Sequence, residues 1–478
     1  MTSTLWTFIL IQMAMGLADT VVHHEGTERL AWRASQRREL QLHGVRNLLY
    51  AVLFLTLGWV QPHGLAAVAL LMLLVIELGI TLWDFVEEDR TRKLPATERV
   101  LHTVLTLNYG VILALLVPLA MGWATLPTGL VRSDQGWIGW LCLAAAVGVT
   151  LSGLRDLAAA RRAPYLAGMA AAELAAELDG RRHVVITGGT GFVGSRLAEA
   201  LVEAGHQVTV LSRKAVHAGT LPGAVRVIDS LDRIDAAETV DAVVNLAGEP
   251  ISNGLWTRAK RERIVASRVA ITRQCVALIV RLERKPEVFV SGSAIGWYGL
   301  RGDEVLDEGC APEACFSHEI CRQWEDATQG AGVRTVLLRI GLVLDNSGGM
   351  LARMLTPFEF GLGGPFGRGR HWMSWIHRDD LVRLIVHGIA SPDLAGPVNG
   401  TAPLPVTNAD FTRALGRALR RPALIPVPAW PLQWVLGDFA RELLLSGQRV
   451  VPARAQASGF VFRYADVDSA LRAIVGRA

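Results

Sequence analysis

Val184-Val185-Ile186-Thr187 runs directly into Gly188-Gly189-Thr190-Gly191-Phe192-Val193-Gly194, and this stretch decides how the second half of the chain is read. Four β-branched residues predict a short buried strand. A helical pattern follows over Ser195–Ala204. Glycines at 188, 191 and 194 let backbone turn tightly and approach a pyrophosphate, whose charge is favoured at the helix N-terminus. A glycine triplet alone is a weak signal. The strand before it, the helix after it and a second strand beyond make it specific. Gly188, Thr190, Gly191, Phe192, Val193 and Gly194 are therefore expected to line a dinucleotide site. The alternative is a plain strand-turn-helix.

Outward from this loop, short β-branched runs alternate with helical stretches: Gln207–Leu211, Val225–Asp229, Ala242–Leu246, Val288–Ser291 and Thr335–Ile340. That alternation predicts a doubly wound parallel α/β sheet with helices on both faces. The second strand ends Leu211-Ser212-Arg213-Lys214, where an NAD site usually carries Asp or Glu for the ribose hydroxyls. A hydroxyl and two cations suit the extra phosphate of NADP, and Arg213 offers it a bidentate fork. The alternative is a solvated basic loop. Asn245-Leu246-Ala247-Gly248-Glu249 closes the fourth strand, which adds Leu246, Ala247, Gly248 and Glu249 to the expected cofactor-binding set. From about Pro397 prolines multiply, which predicts a small, less regular lobe over 397–478 after a Rossmann-like domain at 182–396.

These residues resemble the short-chain dehydrogenase/reductase superfamily in its extended, atypical branch. More narrowly, the chain is similar over about 183–475 to an NAD(P)-dependent epimerase family that ends in a small family-specific C-terminal domain. The resemblance rests on the glycine loop, Asn245–Glu249, Trp256-Thr257 through Ser267-Arg268, and Ser291-Gly292-Ser293 followed by Tyr298-Gly299. It extends to Ser374-Trp375-Ile376-His377 with Asp379-Asp380, and to Gly447-Gln448-Arg449-Val450 with Pro452. It implies a Rossmann core that binds NADP(H), with the substrate open.

Superfamily members that transfer hydride use Ser, Tyr and Lys, the last two at i and i+4 of one helix. Ser293 matches the serine. In the helix expected at Phe316–Gly330, counting back from Trp324-Glu325 places Ser317 and Cys321 at the other two positions, and no Tyr-x-x-x-Lys stands in this region. Tyr298 is the substitute candidate, against the alternative of a packing residue in a turn. Cys321 reads as buried and inert. His377 is open as a third catalytic candidate, while Asp380 reads as structural. Gly361–Arg370 is either a lid over an anionic substrate or an irregular loop. Whether the chain is catalytic stays open at this point.

The first 155 residues read differently. Five apolar runs, Leu5–Val22, Val45–Val60, Leu65–Trp83, Val100–Trp123 and Trp137–Leu154, predict a membrane bundle of five helices. The first run lacks preceding basic residues and a small-residue cleavage site, so it reads as a retained helix, with a signal peptide as the alternative. The first loop carries Arg29, Arg33, Arg37 and Arg38, and the third Arg90, Arg92, Lys93 and Arg99. By the positive-inside rule both face the cytoplasm. The N-terminus is then outside, and the domain after an Ala- and Arg-rich helical linker at 156–181 is cytoplasmic.

The bundle carries an internal polar repeat. Gln12, Asp19 and His23 share their spacing with Glu77, Asp84 and Glu88; Glu39, His43 and Tyr50 share theirs with Glu98, His102 and Tyr109. Residues four or seven apart share a helix face. Asp19, His23, Glu39, His43, Asp84, Glu88, Glu98 and His102 should then converge at one depth, with Tyr50 and Tyr109 deeper. Ionisable groups in such helices are costly and usually functional. An iron or manganese site, a proton path and a salt-bridge network with loop arginines are the three readings.

Composition sets the outer limits. Of 478 residues 51% are hydrophobic and 19% charged, with mean hydropathy +0.32, which excludes a disordered chain. A net charge of +4 gives no case for nucleic-acid binding. Five scattered cysteines exclude a disulfide framework. The expectation is a membrane-anchored NADP(H)-binding oxidoreductase or epimerase-like protein, with lipid bilayer and an unknown small molecule as partners. The alternative is a catalytically degenerate nucleotide sensor. If Ser212-Arg213-Lys214 reads the extra phosphate, calorimetry will show NADPH binding at least tenfold tighter than NADH, about 1.4 kcal/mol, and Arg213→Ala will remove most of that difference. Equal affinities for the wild type would exclude this role.

Overall fold

The structure, a computed structural model, describes residues 2–92, 94–212, 221–252 and 254–477. The chain divides into two units, Met1–Ala167 and Gly168–Ala478.

The first unit holds α1 (Ser3–Asp19), α2 (Arg37–Trp59), β1 (Val60–His63), α3 (Leu65–Thr91), α4 (Ala96–Ala124), β2 (Gly129–Arg132) and α5 (Trp137–Arg162). Its five helices are long and apolar enough to cross a membrane, by length and composition. They outrun the apolar runs because charged turns prolong them: α2 starts at Arg37, and α5 continues to Arg162, past the expected boundary at 155. After Asp19 the first helix widens into a π-helix over Thr20–Glu28. Packing pairs α2 with α5 and α1 with α4, while α3 touches α2 and α4. Glycines let α2 and α5 approach closely: a Cβ at Gly153 would come 2.8 Å from Gly44 O, and one at Gly139 3.0 Å from Gly58 O. Large apolar side chains such as Leu65, Val75, Leu107 and Leu151 are exposed on the outside, whereas Glu39, Glu77, Asp84, Glu88 and Glu98 are buried. This inverts the pattern of a water-soluble bundle.

The second unit opens with α6 (Ala171–Leu174), β3 (His183–Thr187), α7 (Gly194–Glu203), β4 (Gln207–Leu211), β5 (Arg226–Ile228), β6 (Ala242–Asn245), α8 (Arg258–Arg281) and β7 (Val288–Ala294). Next come β8 (Val305–Leu306), α9 (Phe316–Asp326), β9 (Arg334–Ile340), β10 (Leu342–Leu344), α10 (Gly349–Glu359), β11 (Trp372–Met373), β12 (Trp375–His377) and α11 (Arg378–Ala390). It ends with β13 (Gly396–Gly400), β14 (Val406–Thr407), α12 (Asn408–Leu419), α13 (Ala429–Leu436), β15 (Arg449–Val450), α14 (Ala453–Ala457) and α15 (Val467–Ile474). Seven strands form one parallel sheet in the order β13-β9-β7-β6-β3-β4-β5. The direction of winding reverses between β3 and β6, the switch point at which such sheets bind ligands.

Alternation along the strands explains the layers. Val184, Ile186, Ala242, Val244, Val288 and Val290 bury into one core with Leu197 and Leu201 of α7 and Leu381 and Ile385 of α11. Val185, Val243 and Phe289 face the other way, against Cys275, Leu278 and Ile279 of α8.

Two expected boundaries are corrected. Residues 168–181 are not a free linker: α6 is only four residues long, yet it packs on α7 and α11, and Leu174, Ala175 and Leu178 join the main core. The division at 396/397 cuts through β13, whose Pro397 and Val398 pair with Leu337 and Leu338 of β9. As an edge strand β13 tolerates proline, which lacks an N–H to donate.

A buried ion pair joins α7 to the start of α11. Arg196 Nε lies 2.9 Å from Asp379 Oδ1, and Asp379 Oδ2 accepts the Met169 N–H at 3.0 Å. Asp379→Ala strands the guanidinium in the interior and is expected to cost about 3–5 kcal/mol, measured by urea unfolding. A loss below about 1 kcal/mol would mean that water screens the pair.

Candidate functional site

The carboxyl ends of β4, β3, β6 and β7 lie side by side, which brings the expected cofactor residues together. Gly188 sits at φ +74°, a conformation that favours glycine, and a Cβ there would come 2.7 Å from the carbonyl carbon of Leu246. The glycine loop and Leu246–Ala247 therefore touch through backbone. Gly194 begins α7 against the loop itself, since its Cβ would meet Gly188 O at 2.2 Å. Gly191 differs: it is exposed, and a Cβ would meet only Gly188 O, at 3.1 Å. Its other side is open at the helix N-terminus, as a cradle for phosphate requires. Phe192 packs against Gly348 and lies under the Arg378 guanidinium.

Ser212 is buried at the end of β4, its N–H donating to Ile228 O. Arg213 and Lys214 lie outside the described residues. Glu249 is taken up by α8: Lys260 Nζ is 2.5 Å from its Oε1, and the Ser267 hydroxyl accepts its N–H. The ammonium group holds the Glu249 carboxyl below its ordinary range. Arg268 donates to Glu249 O and lies over Trp324. Asn245–Glu249 and the segment from Trp256 to Arg268 are thus two sides of one structure.

The three catalytic candidates do not form one constellation. Ser293 Oγ donates to Glu325 Oε1 at 2.7 Å, and Glu325 is gripped by Arg339 at 2.9 and 3.0 Å. Arg339 Nη1 reaches Tyr298 OH at 3.3 Å, and that hydroxyl donates to Asn399 Oδ1 at 2.7 Å. Ser293 and Tyr298 are therefore joined through a buried ion pair and not through a substrate cleft. Burial pushes the Tyr298 hydroxyl up to about 12, so it does not ionise near neutrality. The packing alternative accounts for it. His377 is separate: its Nδ1 accepts the Asp379 N–H at the start of α11, and its ring stacks on Tyr464. It acts as a helix cap.

At the superfamily's tyrosine position, Ser317 donates its hydroxyl to Glu442 Oε2 at 2.5 Å, and the same oxygen accepts the Ser317 N–H at 3.0 Å. Cys321 is buried against Ala294, and burial together with Glu325 pushes its thiol up to about 12. Asp380 accepts the N–H groups of Arg463 and Tyr464, a structural role as expected. The Gly361–Arg370 loop is a packed irregular segment: Gly363 and Pro365 accept from Ile425 and Val427, and Asn408 accepts the Phe366 N–H. Sequence reading missed Arg339, Asn399 and Glu442. Only Glu325 carried a local signal, through its neighbour Trp324.

The polar stripes of the helical unit do converge. Arg92 Nη2 lies 2.9 Å from Glu39 Oε1 and 2.7 Å from Glu98 Oε1. Asp84 Oδ2 accepts from Arg46 at 2.8 Å and stands 2.9 Å from His43 Nε2. Asp19 Oδ2 lies 3.1 Å from His102 Nε2 and 3.2 Å from His24 Nε2. Two groups bring donor atoms within 4.8 Å of one another: Asp19, His24, Glu98 and His102, and Glu39, His43 and Glu88. Two expectations are corrected here. His23 is outside both groups, because its Nδ1 is on Asp19 Oδ1 and its Nε2 on Thr97. Asp84 is outside both groups as well, its Oδ2 on Arg46. Tyr50 and Tyr109 both donate to Glu77, which also accepts from Thr81, so they buttress a carboxylate in a second polar layer.

The sheet order and the glycine cradle define a Rossmann dinucleotide-binding protein of the extended short-chain dehydrogenase/reductase type. Residues 184–399 match the model of the NAD dependent epimerase/dehydratase family, and 427–474 match a domain of unknown function (DUF1731). An Arabidopsis thaliana chloroplastic SDR39U1 homolog is 40% identical, covering 61% of this chain and 86% of that protein. The Bacillus subtilis epimerase family protein YfhF is 35% identical, covering 61% and 98%. A crystal structure of human epimerase family protein SDR39U1 with NADPH aligns at TM-score 0.56 and 34% identity, covering 61% and 99%. The chain belongs to this family, the SDR39U1-like atypical short-chain dehydrogenase/reductases.

Gly191→Val is the sharpest test of the cradle. The backbone tolerates a Cβ with a shift of a few tenths of an ångström at Gly188 O, but the isopropyl group fills the open side. Nucleotide binding should disappear in equilibrium titration while the thermal transition is retained; binding that survives would place the cofactor elsewhere.

Proposed function

We propose that the protein is a membrane-anchored, NADP(H)-binding oxidoreductase or epimerase that works at the cytoplasmic face on a small, partly apolar molecule. The exposed, open-sided Gly191 at the head of α7 carries this reading. Support for the phosphorylated dinucleotide comes from Ser212-Arg213-Lys214 and from the human relative solved with NADPH. Support for the anchor comes from five long apolar helices with ionisable groups turned inward, and for its orientation from arginines in the first and third loops. An apolar substrate is favoured by Trp430 and Trp434, exposed one turn apart on α13, which packs on the segment bearing Glu442.

Gly188, Gly191 and Gly194 would hold the pyrophosphate, and Leu246–Ala247 would border the adenosine ribose. The nicotinamide, when bound, supplies or accepts hydride. The protein's own task is to manage the accompanying proton. Where the superfamily places tyrosine, this chain offers the Ser317 hydroxyl on the buried Glu442 carboxylate. In the direction that consumes NADPH, Ser317 Oγ would give its proton to substrate as a protonated Glu442 replaces it, and the reverse reaction would run the relay backward.

A second reading, a nucleotide sensor without turnover, is favoured by the engagement of Ser293 and Tyr298 in the Glu325–Arg339 network. Detergent-solubilised full chain loaded with NADPH should oxidise it when given polar-lipid extract. Glu442→Gln should lower the rate at least tenfold with unchanged NADPH affinity. Tight NADPH binding with no oxidation in any extract would favour the sensor.

A further inference from the structure

Among the described residues eight carboxylates of the helical unit are buried; five of them, Asp19, Glu39, Asp84, Glu88 and Glu98, gather with two guanidinium groups, Arg46 on Asp84 and Arg92 on Glu39, Glu88 and Glu98. Glu39 and Glu98 are fully buried. Excess negative charge out of water requires a cation. Protonated histidines, such as His23 on Asp19 and His102 between Asp19 and Glu88, supply part of it, but not from His24 and His43 together. His24 and His43 stack face to face, with centroids 4.7 Å apart and planes 5° apart. Two imidazolium ions held so would repel strongly in a low dielectric.

The nitrogens point to a different cation. His43 is 3% exposed, and its Nε2 makes no hydrogen bond although Asp84 Oδ2 is 2.9 Å away. His24 Nε2 likewise makes none, with Asp19 Oδ2 at 3.2 Å and Glu98 Oε1 at 3.9 Å. Glu88 Oε1, also buried, is in the same state. Donor atoms crowded together without hydrogen-bond geometry have the arrangement of ligands around a shared ion. The spacing fits: with bonds of about 2.1 Å, donors around one ion lie about 3–4 Å apart, and each group here spans at most 4.8 Å.

Backbone geometry supports the same reading. In the π-helix after Asp19 hydrogen bonds run from i to i+5, which brings His24 over Asp19. An α-helical continuation would leave only His23 there. His23 is instead held between Asp19 Oδ1 and Thr97 Oγ1, and it fixes the carboxylate from behind. Arg92 does the same for Glu39 and Glu98, leaving a further lone pair on Glu39 Oε2 and on both Glu98 oxygens.

We propose that Asp19, His24, Glu98 and His102 bind a divalent first-row transition metal, iron or manganese, and that Glu39, His43 and Glu88 form a second such site, which shares with the first the repeated Glu-x-x-x-His pair. Mixed imidazole and carboxylate donors select these ions over magnesium. The inference is independent of the nucleotide site.

The test uses full chain in detergent, stripped with EDTA and titrated with Mn(II) while the paramagnetic resonance signal of free Mn(II) is followed. The wild type should remove up to two ions per chain from solution. His24→Gln with His102→Gln should remove one fewer, and His43→Gln with Glu88→Gln should lose the other, both with unchanged circular dichroism. Thermal unfolding of the wild type gives a readout that needs no variant: Mn(II) should raise its midpoint and Mg(II) should not. A wild type that leaves Mn(II) free and melts at the same temperature with and without it overturns the proposal. Wild-type stoichiometry retained in both folded double variants overturns it too.

Discussion

A charge taken out of water has to be met by another, and both units are organised around that requirement. In the sheet unit Glu325 and Arg339 meet beneath the carboxyl edge, and Arg196 and Asp379 meet between α7 and α11. In the helical unit Arg92 reaches Glu39, Glu98 and Glu88. Each pair has remaining lone pairs or protons that recruit further groups, such as Ser293, Tyr298 and the Met169 N–H. The pairs thereby position chain segments far apart in sequence. Their contribution is to specify one arrangement, since well-packed apolar replacements of buried ion pairs are often as stable.

This has a consequence for chemistry. Ser293, expected from the resemblance to be the catalytic serine, has its hydroxyl proton committed to Glu325. Tyr298 is committed to Asn399. Glu442, from the far end of the chain, accepts the Ser317 hydroxyl. The C-terminal segment thereby packs on the start of α9.

Much of this was legible in the sequence where the signal is local. The glycine loop, six of the seven sheet strands and the five long helices follow from β-branched runs, glycine spacing and apolar length. β13 was not legible, because Gly396-Pro397-Val398-Asn399-Gly400 is a poor strand former that pairs only because β9 offers it an edge. The Glu325–Arg339 and Ser317–Glu442 partnerships were illegible for a related reason: they join separate elements, 14 and 125 residues apart, and neither partner stands in a recognisable spacing. The π-helix was hidden by the assumption of 3.6 residues per turn. That assumption named His23, four residues from Asp19, where the wider turn presents His24 as well.

The internal repeat illustrates how a duplicated frame diverges without losing its geometry. His43 faces Asp84 as His102 faces Asp19, at 2.9 and 3.1 Å. Beyond that pair the halves part. Asp84 has an arginine, Arg46, and Asp19 has two histidines, His23 and His24. One layer deeper Glu77 gathers Tyr50, Tyr109 and Thr81, while its counterpart Gln12 accepts from Asn108. A carboxylate needs several donors when buried, and a neutral amide needs fewer, so the charged half acquired the tyrosines and the guanidinium. The other half kept its imidazoles for Asp19. The repeat is therefore symmetric in placement and asymmetric in charge. That asymmetry makes the two donor groups chemically unequal, with two histidines among four donors in one and one histidine among three in the other.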